Sequence, residues 1–176
     1  STYNNSGGTS WTDELPRKNY NPKRVEPADM WAAAESQEMA LVSPQMHWDF
    51  AMQYEARLLE PWGLTGCGCC EDLTLKMDYV RRLPHLRLIS IAPCAPVDRA
   101  APELRGDYIF SWKAQPSMLV GAFDDRKVRQ YIQHTLDLAK EHGCVLEMIL
   151  KDTHTCEHHP ERFTRWTEIA GELVKT

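Results

Sequence analysis

The stretch Leu86–Lys113, LRLISIAPCAPVDRAAPELRGDYIFSWK, decides the fold. Leu86 to Ala92 is a short apolar run with strand character, Val97 to Leu104 follows with helical spacing, and Asp107 to Trp112 returns to a strand. A buried strand, an amphipathic helix and a second buried strand in so short a span indicate a βα unit and a parallel sheet. The rhythm extends in both directions. Upstream, Gly63 to Gly66 reads as a short strand and Glu71 to Leu83 as a helix carrying Leu75, Tyr79 and Val80. Downstream, Asp124 starts a long helix through Val128, Ile132, Leu136 and Leu138 to Gly143. Cys144 to Leu150 is a fourth strand, and Pro160 opens a last helix through Phe163, Trp166 and Ile169. Four βα units result. None of the strands is followed by G-x-G-x-x-G, which makes a dinucleotide-binding fold a poor match.

Before this core the spacing predicts two helices. One spans Pro27 to Leu41, with Met30, Trp31, Ala34, Met39 and Leu41 on its apolar side, and Glu35 and Glu38 on a solvated face. The other begins at the cap Ser43-Pro44, turns Met46, Phe50, Tyr54, Leu58 and Leu59 inward, and stops before Pro61. Residues 1–26 are polar and punctuated by glycine and proline, and read as an irregular amino-terminal segment. The chain thus divides into 1–26 and a folded unit over 27–176.

Composition limits the partners. Twenty Lys and Arg against 25 Asp and Glu give a net charge of −5, and no basic stripe is available to neutralise phosphates, which argues against nucleic acid. No apolar run approaches the roughly 20 residues of a membrane span, so the expected setting is soluble and cytoplasmic. Six cysteines are present, but Cys67, Cys69 and Cys70 crowd one short segment where mutual disulfides would be strained, so free thiols in a reducing compartment are expected.

In parallel α/β folds the reactive groups sit where strands end and helices have yet to begin. Here those junctions carry Cys67-Gly68-Cys69-Cys70-Glu71-Asp72, then Pro93-Cys94, then Ser111-Trp112-Lys113, then Lys151-Asp152-Thr153-His154-Thr155-Cys156. Thiols, an imidazole, carboxylates and lysines converge on one rim. Cys67 and Cys69, two residues apart in a glycine turn, can hold one soft metal such as zinc, with His154 or Cys156 as third ligand. The alternative is that they are small residues packed under the next helix. Glu71 is a candidate acid–base group or carboxylate ligand, or else a helix-dipole partner like Asp72. Trp112 and Lys113 are candidates for substrate binding, and Lys113 for catalysis, either by holding a carboxylate or phosphate or by titrating low if desolvated; its alternative role is that of a snorkelling rim lysine. Lys151-Asp152 closes an apolar strand with an ion pair and is a candidate for the chemistry.

The run TDELP, AESQEM, VSPQMHWDF, GCGCCEDL, LRLISIAPCA, GDYIFSWKAQPSML and VLEMILKDTHT, ending in Pro160-x-Arg162-Phe163-x-Arg165-Trp166, resembles the carboxy-terminal part of uroporphyrinogen decarboxylase-like proteins. The similarity follows that family's order over nearly the whole chain after the first segment. The resemblance implies a (β/α)8 barrel of which this chain supplies about the last four βα units. The other units would come from a missing first half, a complementing polypeptide or a second copy in a homodimer. It also implies one of two chemistries on a small-molecule substrate. The first is zinc-assisted methyl transfer involving a thiol or a corrinoid carried by a partner protein, with Cys67 and Cys69 taking the positions of a His-x-Cys ligand motif, His154 completing the metal site, and Glu71 or Asp152 handling protons. The second is metal-free decarboxylation, with Lys113 and Lys151 binding carboxylates and Asp152 stabilising a cation. A third, non-enzymatic reading is a subunit or fragment that completes a barrel.

Overall fold

The computed structural model describes residues 2–5, 8–151 and 153–175, with only the backbone described for 2–5 and 8–11. Asp152 therefore lies outside the described residues. The architecture is α/β. Five parallel strands lie side by side in chain order: β3 (Trp31–Ala34), β4 (Leu64–Cys67), β5 (Leu86–Ile91), β6 (Ile109–Ala114) and β7 (Val145–Leu150). Between and after them run α1 (Pro44–His47), α2 (Gln53–Leu59), α3 (Met77–Val80), α4 (Val97–Leu104), α5 (Asp125–Glu141) and α6 (Glu161–Leu173). A separate antiparallel hairpin, β1 (Thr2–Asn5) with β2 (Gly8–Trp11), precedes the sheet and gives the first segment more order than its composition suggests. Among the described residues no helix is long and apolar enough to cross a membrane.

The period of two divides each strand between two environments. Ile89, Ile91, Phe110, Trp112 and Ala114 pack with Val80, Ala100, Leu104, Val128, Ile132 and Ile169 of the helices. On the opposite face Trp31, Leu64, Leu88 and Ile109 gather around Leu15 from the amino-terminal segment. That segment is pinned further by Arg17, whose Nε donates to Asp29 Oδ1 at 2.7 Å, and by an ion pair of 2.7 Å between Arg87 and Glu14. The longest helix shows how local sequence and burial agree. The Asp124 carboxylate caps α5 by accepting from the amides of Arg126 and Lys127, and Val128, Ile132, Thr135 and Ala139 form its buried stripe.

Three expected elements differ. Residues 27–41 are no helix: Pro27–Asp29 is a single 3-10 turn, and Trp31–Ala34 is a strand paired in parallel with Leu64–Cys67, so the sheet has five strands instead of four. Three alanines favour helix locally, but pairing with β4 overrides that preference. The helix expected from Glu71 is delayed to Met77–Val80, because Asp72 Oδ1 accepts from the Thr74 amide and hydroxyl at 2.8 and 2.7 Å and holds a turn there. The helix after Ser43 is present, yet its inward face is His47, Met52 and Leu59, while Met46, Phe50, Tyr54 and Leu58 are exposed. A π-helical segment at Trp48–Met52 shifts the register.

Candidate functional site

The carboxyl ends of β4, β6 and β7 meet at one place, and it begins with a turn that only glycine allows easily. Cys67 ends β4 buried in the helix-facing core. Gly68 then adopts φ +92°, where a Cβ would stand 2.6 Å from Leu73 Cδ1. The turn hands the chain to Cys69, whose backbone is fixed at both polar atoms. Its amide donates to Glu71 Oε2 at 2.9 Å, and its carbonyl accepts from Ser90 Oγ of β5 at 3.1 Å. Glu71 is buried and thus positions the thiol turn, with no helix beginning at it.

Lys151, at the end of β7, reaches across the sheet to this turn. Its Nζ donates to Cys69 Sγ at 2.9 Å and Cys70 Sγ at 3.2 Å, and the two sulfurs are 3.4 Å apart. Burial disfavours the Lys151 charge, but the bonds to both sulfurs prevail and its pKa is raised above the ordinary lysine range. Beside it, on the same face of β6, Lys113 donates to Ser111 Oγ, and Ser111 in turn donates to Glu147 Oε1 of β7. Ser90, Ser111 and Glu147 share one register across β5, β6 and β7, so a polar row crosses the sheet below the two lysines. Lys113 is 1% exposed. Burial lowers its pKa to about 8, assisted by the positive charge of Lys151 and opposed by Glu147, Cys69 and Cys70.

The structure therefore brings together Cys69, Glu71, Lys113 and Lys151 of the residues singled out from sequence, and adds Cys70 as an exposed member. It does not bring Trp112 or His154 to them, and the Cys67 thiol, though near the Glu71 charge, faces the helix-side core. The Cys67 thiol is held in the core, its pKa pushed up by burial and by the carboxylates of Glu55, Glu71 and Glu35. Trp112 points to the helix layer and stacks at 5.1 Å on Tyr131. His154 is exposed beside a small cleft of about 160 Å³ with Pro116, Ser117 and Val120. Among the described residues no three His, Cys, Asp or Glu side chains stand close enough to share a metal ion. Cys69 and Cys70 would offer a zinc ion two sulfurs, one donor fewer than the three protein ligands of a catalytic zinc site.

Ser90, Ser111 and Glu147 were legible as isolated polar residues within the apolar runs LRLISI, YIFSW and VLEMIL. A second polar group was not. His47, 0% exposed, contacts Ser36 Oγ through Nε2 at 2.7 Å and Lys76 Nζ through Nδ1 at 3.1 Å. An ammonium has no acceptor, so Nδ1 accepts, Nε2 carries the proton, and the ring donates to Ser36. The pair cannot work as nucleophile and base, because the nitrogen facing the hydroxyl is already protonated. Ser36 passes its own hydrogen to Glu55. Burial and the Lys76 charge keep this histidine neutral, with a pKa near about 4.

A cleft of about 660 Å³ lies elsewhere, lined by Phe123, Asp125, Arg162 and Arg165 beside α5 and α6, and holds none of these groups. The strand-end position and the thiol–lysine chemistry outweigh cavity size as signs of function. Compared with protein-family models, curated proteins and solved structures, the chain matches none.

Proposed function

We propose that the strand-end mouth is the active site of an enzyme that moves a small alkyl group, methyl foremost, between an anionic small-molecule substrate and a cysteine sulfur of the mouth. The observation that carries this reading is the Lys151 ammonium bridging Cys69 Sγ and Cys70 Sγ at 2.9 and 3.2 Å. Thiolates are the nucleophilic form of cysteine, and a lysine in direct contact is one of the standard ways of favouring them. In this scheme a thiolate at Cys69 or Cys70 attacks the methyl carbon, a C–S bond forms, and the leaving group departs with the bonding pair. Lys151 balances the negative charge, Lys113 holds the substrate anion, and Glu71 with Ser90 keeps the turn in place. The order of motifs that resembles the uroporphyrinogen decarboxylase and corrinoid methyltransferase superfamily, and the in-order parallel strands, support the same reading, with the sheet as part of a (β/α)8 barrel and a protein-borne corrinoid as methyl source. Zinc on the sulfur pair would need a further donor from the substrate, another chain or a residue such as Asp152.

One observation favours a second chemistry. Lys113 and Lys151 lie close enough for the charge of one to lower the pKa of the other, an arrangement suited to gripping two carboxylates during metal-free decarboxylation. Methylcobalamin labelled in its methyl group, offered to the folded protein with and without zinc, separates the two. The proposal expects label on the Cys69–Cys70 peptide or on an added thiol, and at least about a hundredfold loss in Cys69→Ser or Cys70→Ser. No transfer from a folded preparation under either condition overturns methyl transfer. Carbon dioxide release from a polycarboxylate that survives both serine variants would establish the decarboxylase instead.

A further inference from the structure

The helix after Ser43 displays its most apolar residues to solvent. Phe50 is 68% exposed, Leu58 72% and the preceding Leu41 100%, with Met46 and Tyr54 about half exposed. Residues 46, 50, 54 and 58 recur every four positions. On a regular α-helix such a series drifts by about 40° at each step. The wider π-helical segment at Trp48–Met52 takes up part of that drift, and all four side chains stay exposed. A continuous apolar row of this length is unusual on a surface that water alone covers.

We infer that this row is a self-association surface, and that its occupant is a second copy of the chain packed antiparallel across a two-fold axis. The spacing is its own complement. With the axis at Met52, Met46 of one copy faces Leu58 of the other, and Phe50 faces Tyr54. Charge follows the same symmetry. Gln45, Asp49, Gln53 and Arg57 occupy one flank at the same four-residue spacing, Gln45 donating to Asp49 at 2.7 Å and Arg57 lying 5.6 Å from the Tyr54 ring centre. A two-fold axis puts the same flank of both helices on one side, so Asp49 of each copy meets Arg57 of the other. Phe50 and Tyr54, aromatic side chains that each bury about 150–250 Å² when fully enclosed, stand 68% and 52% exposed at the centre of this contact, with Met46 and Leu58 at its ends.

Sedimentation velocity on the intact chain tests this. The expected result is a concentration-dependent species of twice the 20.3 kDa chain mass, lost in Phe50→Asp and Leu58→Asp while circular dichroism stays native. Both residues are exposed, so these changes leave the core untouched. Asp49→Arg weakens association by about tenfold, and Asp49→Arg combined with Arg57→Asp restores it to within about threefold, because the swap rebuilds both cross-copy pairs. A monomer up to the highest soluble concentration overturns the inference, including one that binds a helix of another polypeptide at this row. A dimer that persists in Phe50→Asp overturns it as well, since another surface would then hold the copies together.

Discussion

Lys76 and Lys113 are both almost completely withdrawn from water, and they behave differently because of what surrounds them. Lys76 Nζ has three fixed acceptors: the carbonyls of Met39 and Ala40 at 2.6 and 3.0 Å, and His47 Nδ1 at 3.1 Å. Its donors are used up, and it ties the loop before α1 to the turn before α3. Lys113 has one acceptor among the described residues, the Ser111 hydroxyl. A buried ammonium with donors to spare is expensive for stability and useful for binding an anion. The first lysine is a brace and the second is poised, although a rim lysine and a helix-cap lysine look alike in sequence.

Methionine at both positions keeps the side-chain length and removes the charge. Lys76→Met removes the donor shared by the Met39 and Ala40 carbonyls and the buried His47 ring, and is expected to lower unfolding free energy by about 3 kcal/mol in urea titration. Lys113→Met removes an incompletely paired buried cation and is expected to leave stability unchanged or raised. The proposed methyl transfer should fall by at least about a hundredfold in Lys113→Met and persist per folded molecule in Lys76→Met. Equal destabilisation by both substitutions would show that Lys113 is a brace too.

Titration sharpens the same contrast. Lys113 gives up its proton at about 8 in the folded protein and near 10.5 when unfolded. Between those values the unfolded chain binds more protons, so stability rises with pH through this window and is lost as pH falls back through about 8. The expected increment is on the order of 3 kcal/mol. It should appear in the difference between wild type and Lys113→Met measured by denaturation from pH 7 to 10.5. A flat difference would place Lys113 in a wetter setting than the sheet face provides.

Legibility in the sequence follows from how local each signal is. Strands β5, β6 and β7 and helices α4, α5 and α6 stood out because their apolar periods lie within single segments, and α5 adds the Asp124 cap and Gly143 just past its end. Strand β3 did not, since Trp-Ala-Ala-Ala has helical preference and becomes a strand only by pairing with β4. The rim was legible as a set of strand ends, and Lys113, Lys151, Cys69 and Glu71 do meet there. Which side of the sheet each neighbour faces was not. Cys67 and Trp112 stand one or two residues from mouth groups and point into the helix layer, because parity along a strand depends on where the strand stops. The Ser36–His47–Lys76 group joins positions far apart in the chain and has no local signature.

Gly68 is the point where that parity is set, and it provides the smallest of these tests. Cys67 follows the pleat of β4 into the core, and one residue in a left-handed conformation redirects the chain so that Cys69 reaches Lys151. An L side chain at φ +92° is strained, and its Cβ would meet Leu73 Cδ1 at 2.6 Å. Gly68→Ala should therefore cost about 2 kcal/mol of stability, a loss readable as a lower urea midpoint. The sharper readout is positional. Relief of the clash moves the turn, so the Cys69 amide and carbonyl lose Glu71 and Ser90, and methyl transfer should fall further than the stability loss alone would produce. If Gly68→Ala lowered stability and left transfer intact, the reactive sulfur would have to be Cys70, which is exposed and needs no such turn to be reached.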